Sequence, residues 1–116
     1  MSRQSRIFLR LYTADIHGGL LADIGAERWH TLCALAAFMD SSGTCFPSHD
    51  LLAHRLGITR VAVTRRMKAL CDYRWNGKPI VERRRIRDPS TGKLANTVYR
   101  ILPAAGLAIF GGEDTS

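Results

Sequence analysis

The chain has 116 residues, of which 46% are hydrophobic and 23% are charged, and this size suits one compact domain with a modest core rather than two. Seventeen lysine and arginine residues against ten acidic residues give a formal net charge of +7, which favours a polyanionic partner. The sequence has no run of 18 apolar residues and no signal-peptide core, so we expect no membrane contact and a cytoplasmic location.

The N-terminal segment carries a weak strand pattern followed by a break. Residues 7–12 alternate branched or aromatic side chains with Arg10, which predicts a short strand. Gly18 and Gly19 interrupt the pattern. We expect residues 1–25 to form an extension that packs on the main domain, although Leu20, Leu21 and Ile24 would equally suit a dimer surface.

The next segment predicts the central buried helix. Residues 26–39 are apolar around most of a helical circumference. The most consistent apolar stripe is Trp29, Leu32, Cys33, Ala36 and Met39. Residues 40–43 (DSSG) have turn chemistry, and residues 44–46 predict a short strand.

Residues 48–70 read as a helix, a tight turn and a second helix. Ser48 is placed to cap the first helix, Gly57 to close it, and Thr59 to cap the second. The buried stripe of the second helix is predicted at Val63, Met67 and Leu70. These capping residues and this buried stripe are typical of a short helix followed, after a tight turn, by a longer helix that packs against it.

The opposite face of the second helix is cationic. It contains Arg60, Val61, Thr64, Arg65 and Lys68. No acid occurs between Asp50 and Asp72, whereas an ordinary solvated helix face interleaves acids with bases. We therefore expect this face to meet an anion.

A basic hairpin is predicted after the second helix. Residues 80–88 and 94–102 have strand patterns, and the intervening DPSTGK has loop chemistry. By the two-residue period of a strand, Arg83, Arg85 and Arg87 share one face. The alternative for each arginine is a solvated surface charge without a partner.

The pattern of Ala53, Gly57, Ile58, Val63 and Met67, with GTCFPSHDLLAHRLGIT before it, resembles winged helix-turn-helix domains of plasmid, phage and conjugative-element replication initiators. The resemblance covers residues 26–102. It implies an α+β, mainly α fold: three helices with a small antiparallel sheet as the wing. Residues 103–116 would be a tail or linker. Arg66 departs from the pattern, because simple repressors often place an apolar residue there.

The residues expected to contact DNA fall into two sets. Base edges would be read by Arg60, Val61, Thr64 and Arg65, since an arginine can bind guanine in a bidentate manner and a methyl group can touch thymine. The phosphate contacts are expected from Arg55, Arg66, Lys68, Arg83, Arg85, Arg87 and Lys93.

Other chemistry has little support in the sequence. His30 and Cys33 could form half of a metal site, but no second ligand pair has suitable spacing. Three cysteines without a CxxC motif suit reduced, buried thiols. No nucleophile elbow, phosphate loop or carboxylate pair is present. We expect no enzyme activity, cofactor, metal or small-molecule ligand.

The function expected from these patterns is sequence-specific binding of double-stranded DNA. Replication initiation on a plasmid, phage or conjugative element is the first expectation for the process, and transcriptional regulation by the same fold is the alternative. A protein-interaction scaffold is a more distant alternative. Assembly as a homodimer is open.

Overall fold

The elements of the fold are four helices and several short antiparallel strands, in a computed structural model that describes residues 8–110. In chain order they are β1 (Phe8–Leu11), α1 (Thr13–His17), α2 (Leu20–Ala36), β2 (Thr44–Cys45), α3 (His49–Leu56), α4 (Arg60–Asp72), β3 (Arg74–Trp75), β4 (Lys78–Pro79), β5 (Val81–Arg87), β6 (Leu94–Ile101), a 3-10 helix (Pro103–Ala105) and β7 (Leu107–Phe110). The protein is therefore α+β.

Helix α2 is the centre of the core and begins earlier than the sequence predicts. Leu20 and Ile24 are fully buried in the same core as the later helices. A break at Gly25 (φ 80°, ψ 165°) separates this first turn from the rest of α2, and glycine tolerates such a conformation because it has no Cβ. In the predicted stripe, Trp29 and Cys33 are only partly buried, and Leu35 is fully buried although it lay outside that stripe.

The ends of α3 and α4 follow the predicted capping chemistry. The Ser48 hydroxyl accepts the Leu51 N–H at 3.0 Å, and Gly57 closes α3 with a left-handed φ of 70°. The Thr59 hydroxyl accepts the Ala62 N–H at 3.1 Å. The predicted buried stripe is also confirmed, with exposed fractions of 0% for Val63, Met67 and Leu70. Only residues 57–59 separate the two helices.

The largest sheet has the order β2-β6-β5 and is antiparallel throughout. It confirms the strand predicted near residue 44 and the hairpin predicted around residues 80–102. Val81, Tyr99 and Ile101 are buried on one face of this sheet. The Ile101 N–H donates to the Gly43 carbonyl at 2.8 Å, and Gly43 (φ 84°) has no space for a Cβ against Ile101, so the 40–43 turn needs glycine.

The C-terminal part differs from the expected tail or linker. Residues 103–105 form the 3-10 helix, in which Ala105 is fully buried. Strand β7 then pairs antiparallel with β1, and Phe110 lies opposite Phe8. Pairing between strands so far apart in sequence has no local signal, which is why the sequence did not predict it. The outer parts of the predicted termini, residues 1–7 and 111–116, lie outside the described residues.

Within residues 8–110, no helix has both the length and the apolar character that crossing a membrane requires. All three cysteines are free thiols. Cys45 is completely buried, and burial together with the nearby Asp40 charge raises its pKa to about 12. Burial also raises the pKa of the Cys33 and Cys71 thiols. All three thiols are therefore protonated at neutral pH.

Candidate nucleic-acid interface

The predicted cationic face of α4 is exposed along its length. It consists of Arg60, Val61, Thr64, Arg65 and Lys68, all of which are exposed, and we call it the α4 face. Val61 has 81% of its surface exposed, which is unusual for a branched apolar residue on a helix that buries its other face. The α4 face is thus a mixed cationic and apolar surface available to a partner.

Acidic side chains accompany the cations of the α4 face. The pairs are Arg60 with Asp50 at 3.7 Å, Arg65 with Glu27 at 2.9 Å and Lys68 with Asp72 at 2.7 Å. Hydrogen bonds from Arg65 and Lys68 lower the pKa of the Glu27 and Asp72 carboxyl groups respectively. Exposed ion pairs of this kind are weak and are screened by salt. A phosphate can therefore replace these carboxylates at little cost.

Sequence reasoning missed the pairing of Arg60 and Arg65 for a clear physical reason. No acid lies within α4 before its last residue, but α2 and α3 place acids beside it. Glu27 is 38 positions from Arg65, so no local spacing rule connects them. The formal charge of the α4 face overstates the charge that a ligand meets in the free protein.

Arg66, which the sequence predicts as a phosphate contact, lies mostly outside the exposed α4 face. Its side chain is only 16% exposed and lies against α2. The Nη1 atom is 3.2 Å from His30 Nδ1, and Nε is 3.7 Å from a Glu27 carboxylate oxygen. Successive helical residues are rotated by about 100°, which turns Arg66 away from Arg65 and towards α2.

The β5–β6 hairpin carries a second basic surface. Arg83 and Arg85 are exposed and lie opposite Tyr99 and Thr97 of β6 respectively. They share a sheet face with buried Val81, which is the face that packs on the helices. Among residues 8–110, neither arginine forms an ion pair of the kind found on α4. We call these two residues the hairpin arginines.

The remaining predicted phosphate contacts, Arg87, Lys93 and Arg55, are exposed. Arg87 follows a register shift in the β5–β6 pairing, and its Nη1 atom donates to the Gly92 carbonyl at 2.9 Å. That bond holds the Arg87 side chain against the 88–93 turn. Lys93 is exposed in the same turn, and Arg55 is exposed in the last turn of α3.

His49 connects α4 to the hairpin. Its Nδ1 atom lies 2.9 Å from the Thr64 hydroxyl and its Nε2 atom 3.0 Å from the Tyr99 hydroxyl. Burial, together with the charges of Arg60 and Arg83, lowers the pKa of His49. No local sequence pattern indicates this bridge, because residues 49, 64 and 99 belong to three separate elements.

Within residues 8–110, no three histidine, cysteine or acidic side chains are grouped so that they could hold a metal ion. His30 contacts Arg66 rather than forming a ligand pair with Cys33. The polar groups that the fold brings together at α4 and the hairpin include several guanidinium and hydroxyl groups. These groups bind anions.

Comparisons of the chain with protein-family models, with curated proteins and with solved structures give no match.

Proposed function

We propose that this protein binds double-stranded DNA as a winged helix-turn-helix domain, with α4 as the recognition helix and the β5–β6 hairpin as the wing. The observation that carries the proposal is the bridge from Thr64 through His49 to Tyr99. It fixes the α4 face and the hairpin arginines relative to each other. Two basic surfaces are thus held in one arrangement.

The dimensions and chemistry of α4 suit a major groove. A helix is about 10–12 Å across with its side chains, and the major groove is about 12 Å wide. Arg60 and Thr64 lie in the first two turns of α4, where recognition helices commonly contact base edges. Val61 supplies an exposed apolar group for a thymine methyl, and Arg65 supplies a fork that can bind guanine.

The hairpin arginines suit the phosphate backbone. They are exposed guanidinium groups without carboxylate partners among the described residues, and backbone contacts fix the register of a protein on DNA without reading sequence. On α4, a bound duplex replaces the exposed ion pairs with Asp50, Glu27 and Asp72, which costs little because such pairs are weak and screened by salt.

The biological process is proposed on the resemblance alone. We propose origin binding by a replication initiator of a plasmid, phage or conjugative element, with transcriptional regulation as the alternative. Assembly would separate the two. A stable homodimer in sedimentation would favour palindromic half-sites and regulation, whereas a monomer would favour directly repeated sites.

The first test is selection from a random duplex library with the purified chain at about 150 mM salt, which suppresses non-specific phosphate binding. We expect one enriched motif. The variant Arg65→Ala should relax preference at one base pair of that motif, at a cost of about 1–3 kcal/mol in binding. His54→Gln is the control, since His54 is exposed on α3 outside both basic surfaces. Absence of enrichment would favour a protein-interaction scaffold instead.

A further inference from the structure

Three groups that can carry positive charge converge between α4 and the hairpin. Arg60 is the first residue of α4, Arg83 lies on β5, and His49 is the first residue of α3. His49 contacts Thr64, whose hydroxyl donates to the Arg60 carbonyl, and it contacts Tyr99, which lies opposite Arg83 in the β5–β6 pairing. The charges of both arginines lower the pKa of the His49 imidazole. The three side chains therefore form one cluster, although they come from three elements.

The hydrogen bonds of His49 favour the neutral imidazole in the free protein. The Thr64 hydroxyl donates to the Arg60 carbonyl at 3.2 Å, so it accepts from His49 Nδ1–H. The other ring nitrogen, Nε2, then accepts from the hydroxyl of Tyr99, which is only 1% exposed. Every donor has an acceptor in this arrangement. Protonation at Nε2 would force the Tyr99 hydroxyl to accept instead.

The charges around His49 act in the same direction. Burial, Arg60 on α4 and Arg83 on β5 each lower its pKa, and only Asp50 on α3 raises it. On β6 the neighbouring group is Tyr99, whose own pKa is raised by burial, so it is uncharged at neutral pH. Asp50 compensates the cluster weakly, because its contact with Arg60 is long and both side chains are well exposed.

We propose that Arg60, Arg83 and His49 form one anion site between the recognition helix and the wing, which binds a single backbone phosphate of duplex DNA and takes up a proton from solvent on His49. The inference rests on the proposed DNA binding, and it moves Arg60 from base reading to the phosphate backbone. The two arginines supply the hydrogen bonds to the phosphate, and His49 supplies charge while its ring nitrogens stay bonded to Thr64 and Tyr99.

The direction of the pH effect follows from the charges. A phosphate at this site offsets the two guanidinium charges, so the pKa of His49 is higher in the complex than in the free protein. The complex then holds more protons than its separate components. By linkage, affinity rises as pH falls through the pKa of the complex towards that of the free protein. Above both pKa values the affinity is independent of this proton.

The test compares wild type with His49→Gln on a mixed-sequence duplex of about two helical turns. Glutamine can donate to Thr64 and accept from Tyr99 but cannot take up the proton. Between about pH 8 and pH 5.5, wild-type affinity should rise by at least about threefold more than that of His49→Gln. His54→Gln is the matched control on the same helix and should behave as wild type.

A second measurement does not depend on any variant. NMR titration of the imidazole signals gives the pKa of His49 in the free protein and in the presence of the duplex. We expect it to rise in the complex. Equal pH dependence of wild type and His49→Gln, or an unchanged pKa with the duplex bound, would overturn the anion site while leaving DNA binding intact.

Failure of DNA binding itself would look different. If the duplex did not bind at any pH, the proposed function would fall, and the same titration would be made with inorganic pyrophosphate. A rise in the pKa of His49 with pyrophosphate would support an anion site that serves another ligand. No response to pyrophosphate would overturn the site as well.

Discussion

Salt dependence of DNA binding tests which arginines meet phosphate, and the hairpin provides a matched pair. Arg85 and Arg84 are neighbours on β5, both exposed, but their side chains lie on opposite sheet faces because strand residues alternate. Arg85 shares its face with Arg83 and buried Val81, towards the helices. Replacing either arginine with glutamine removes one charge and preserves polarity. The two variants therefore differ only in which face of the sheet loses the charge.

The expected magnitude follows from counterion release. Apart from Arg66, the proposed phosphate contacts are Arg55, Lys68, Arg83, Arg85, Arg87 and Lys93, and Arg60 shares the phosphate of Arg83. About six neutralised phosphates give a slope of log affinity against log salt near −5, since each contributes about −0.9. Arg85→Gln should therefore make the slope shallower by about 0.9, whereas Arg84→Gln should leave it unchanged. Arg66→Gln should lower the thermal midpoint of unfolding without changing the slope.

Fluorescence anisotropy of a labelled duplex, measured at several salt concentrations, gives these slopes directly. A wild-type slope shallower than about −2 would contradict the backbone contacts as a group. Equal effects of Arg84→Gln and Arg85→Gln would refute the assignment of one hairpin face to DNA. A large change of slope in Arg66→Gln would show that the contact of this arginine with α2 does not persist in the complex.

Three further predictions concern the scaffold that positions these surfaces. Met67→Ala should lower the free energy of unfolding in urea by about 2–5 kcal/mol, because Met67 is fully buried beneath the α4 face. Gly57→Ala should cost about 1–2 kcal/mol in the same assay from backbone strain alone, since φ is +70° and a Cβ there would meet no atom within 4 Å. At pH 8, iodoacetamide should label Cys45 more slowly than Cys33 or Cys71, because the Cys45 thiol is fully buried and has a pKa of about 12. Mass spectrometry of the labelled peptides gives the order of reaction. Labelling of Cys45 before the other two cysteines would contradict this prediction.

The features that sequence predicted well depend on short-range rules. The caps at Ser48 and Thr59 and the turn at Gly57 require contacts only three to five residues away, and the buried stripe of α4 follows from helical periodicity. The β5–β6 hairpin is also a local structure. For these elements the residue types alone were sufficient.

The features that sequence missed depend on distant parts of the chain. The partners of Arg65 and Arg66 come from α2, and no spacing rule could have indicated that Glu27 would meet both. The same limit applies to His49, whose two contacts lie 15 and 50 positions away. Charge on the α4 face and the pairing of Lys68 with Asp72, four residues later on the same helix, were therefore predictable, whereas the acidic partners of Arg60 and Arg65 and the link to the hairpin required the tertiary structure.

The pairing of β1 with β7 brings the two ends of the described chain side by side, with Phe8 opposite Phe110. A short linker could therefore join residues 8 and 110, and a circular permutant could open at Asn76-Gly77, which forms the tight turn between β3 and β4. Such a permutant would keep all the helices on one continuous segment and the β5–β6 hairpin on another. Neither basic surface would be cut. It would also shorten the loop closed by the β1–β7 pairing from about a hundred residues to a few, which lowers the entropic cost of forming that sheet. In the natural order of the chain, β1 and β7 should be among the last elements to form and the first to exchange their amide hydrogens.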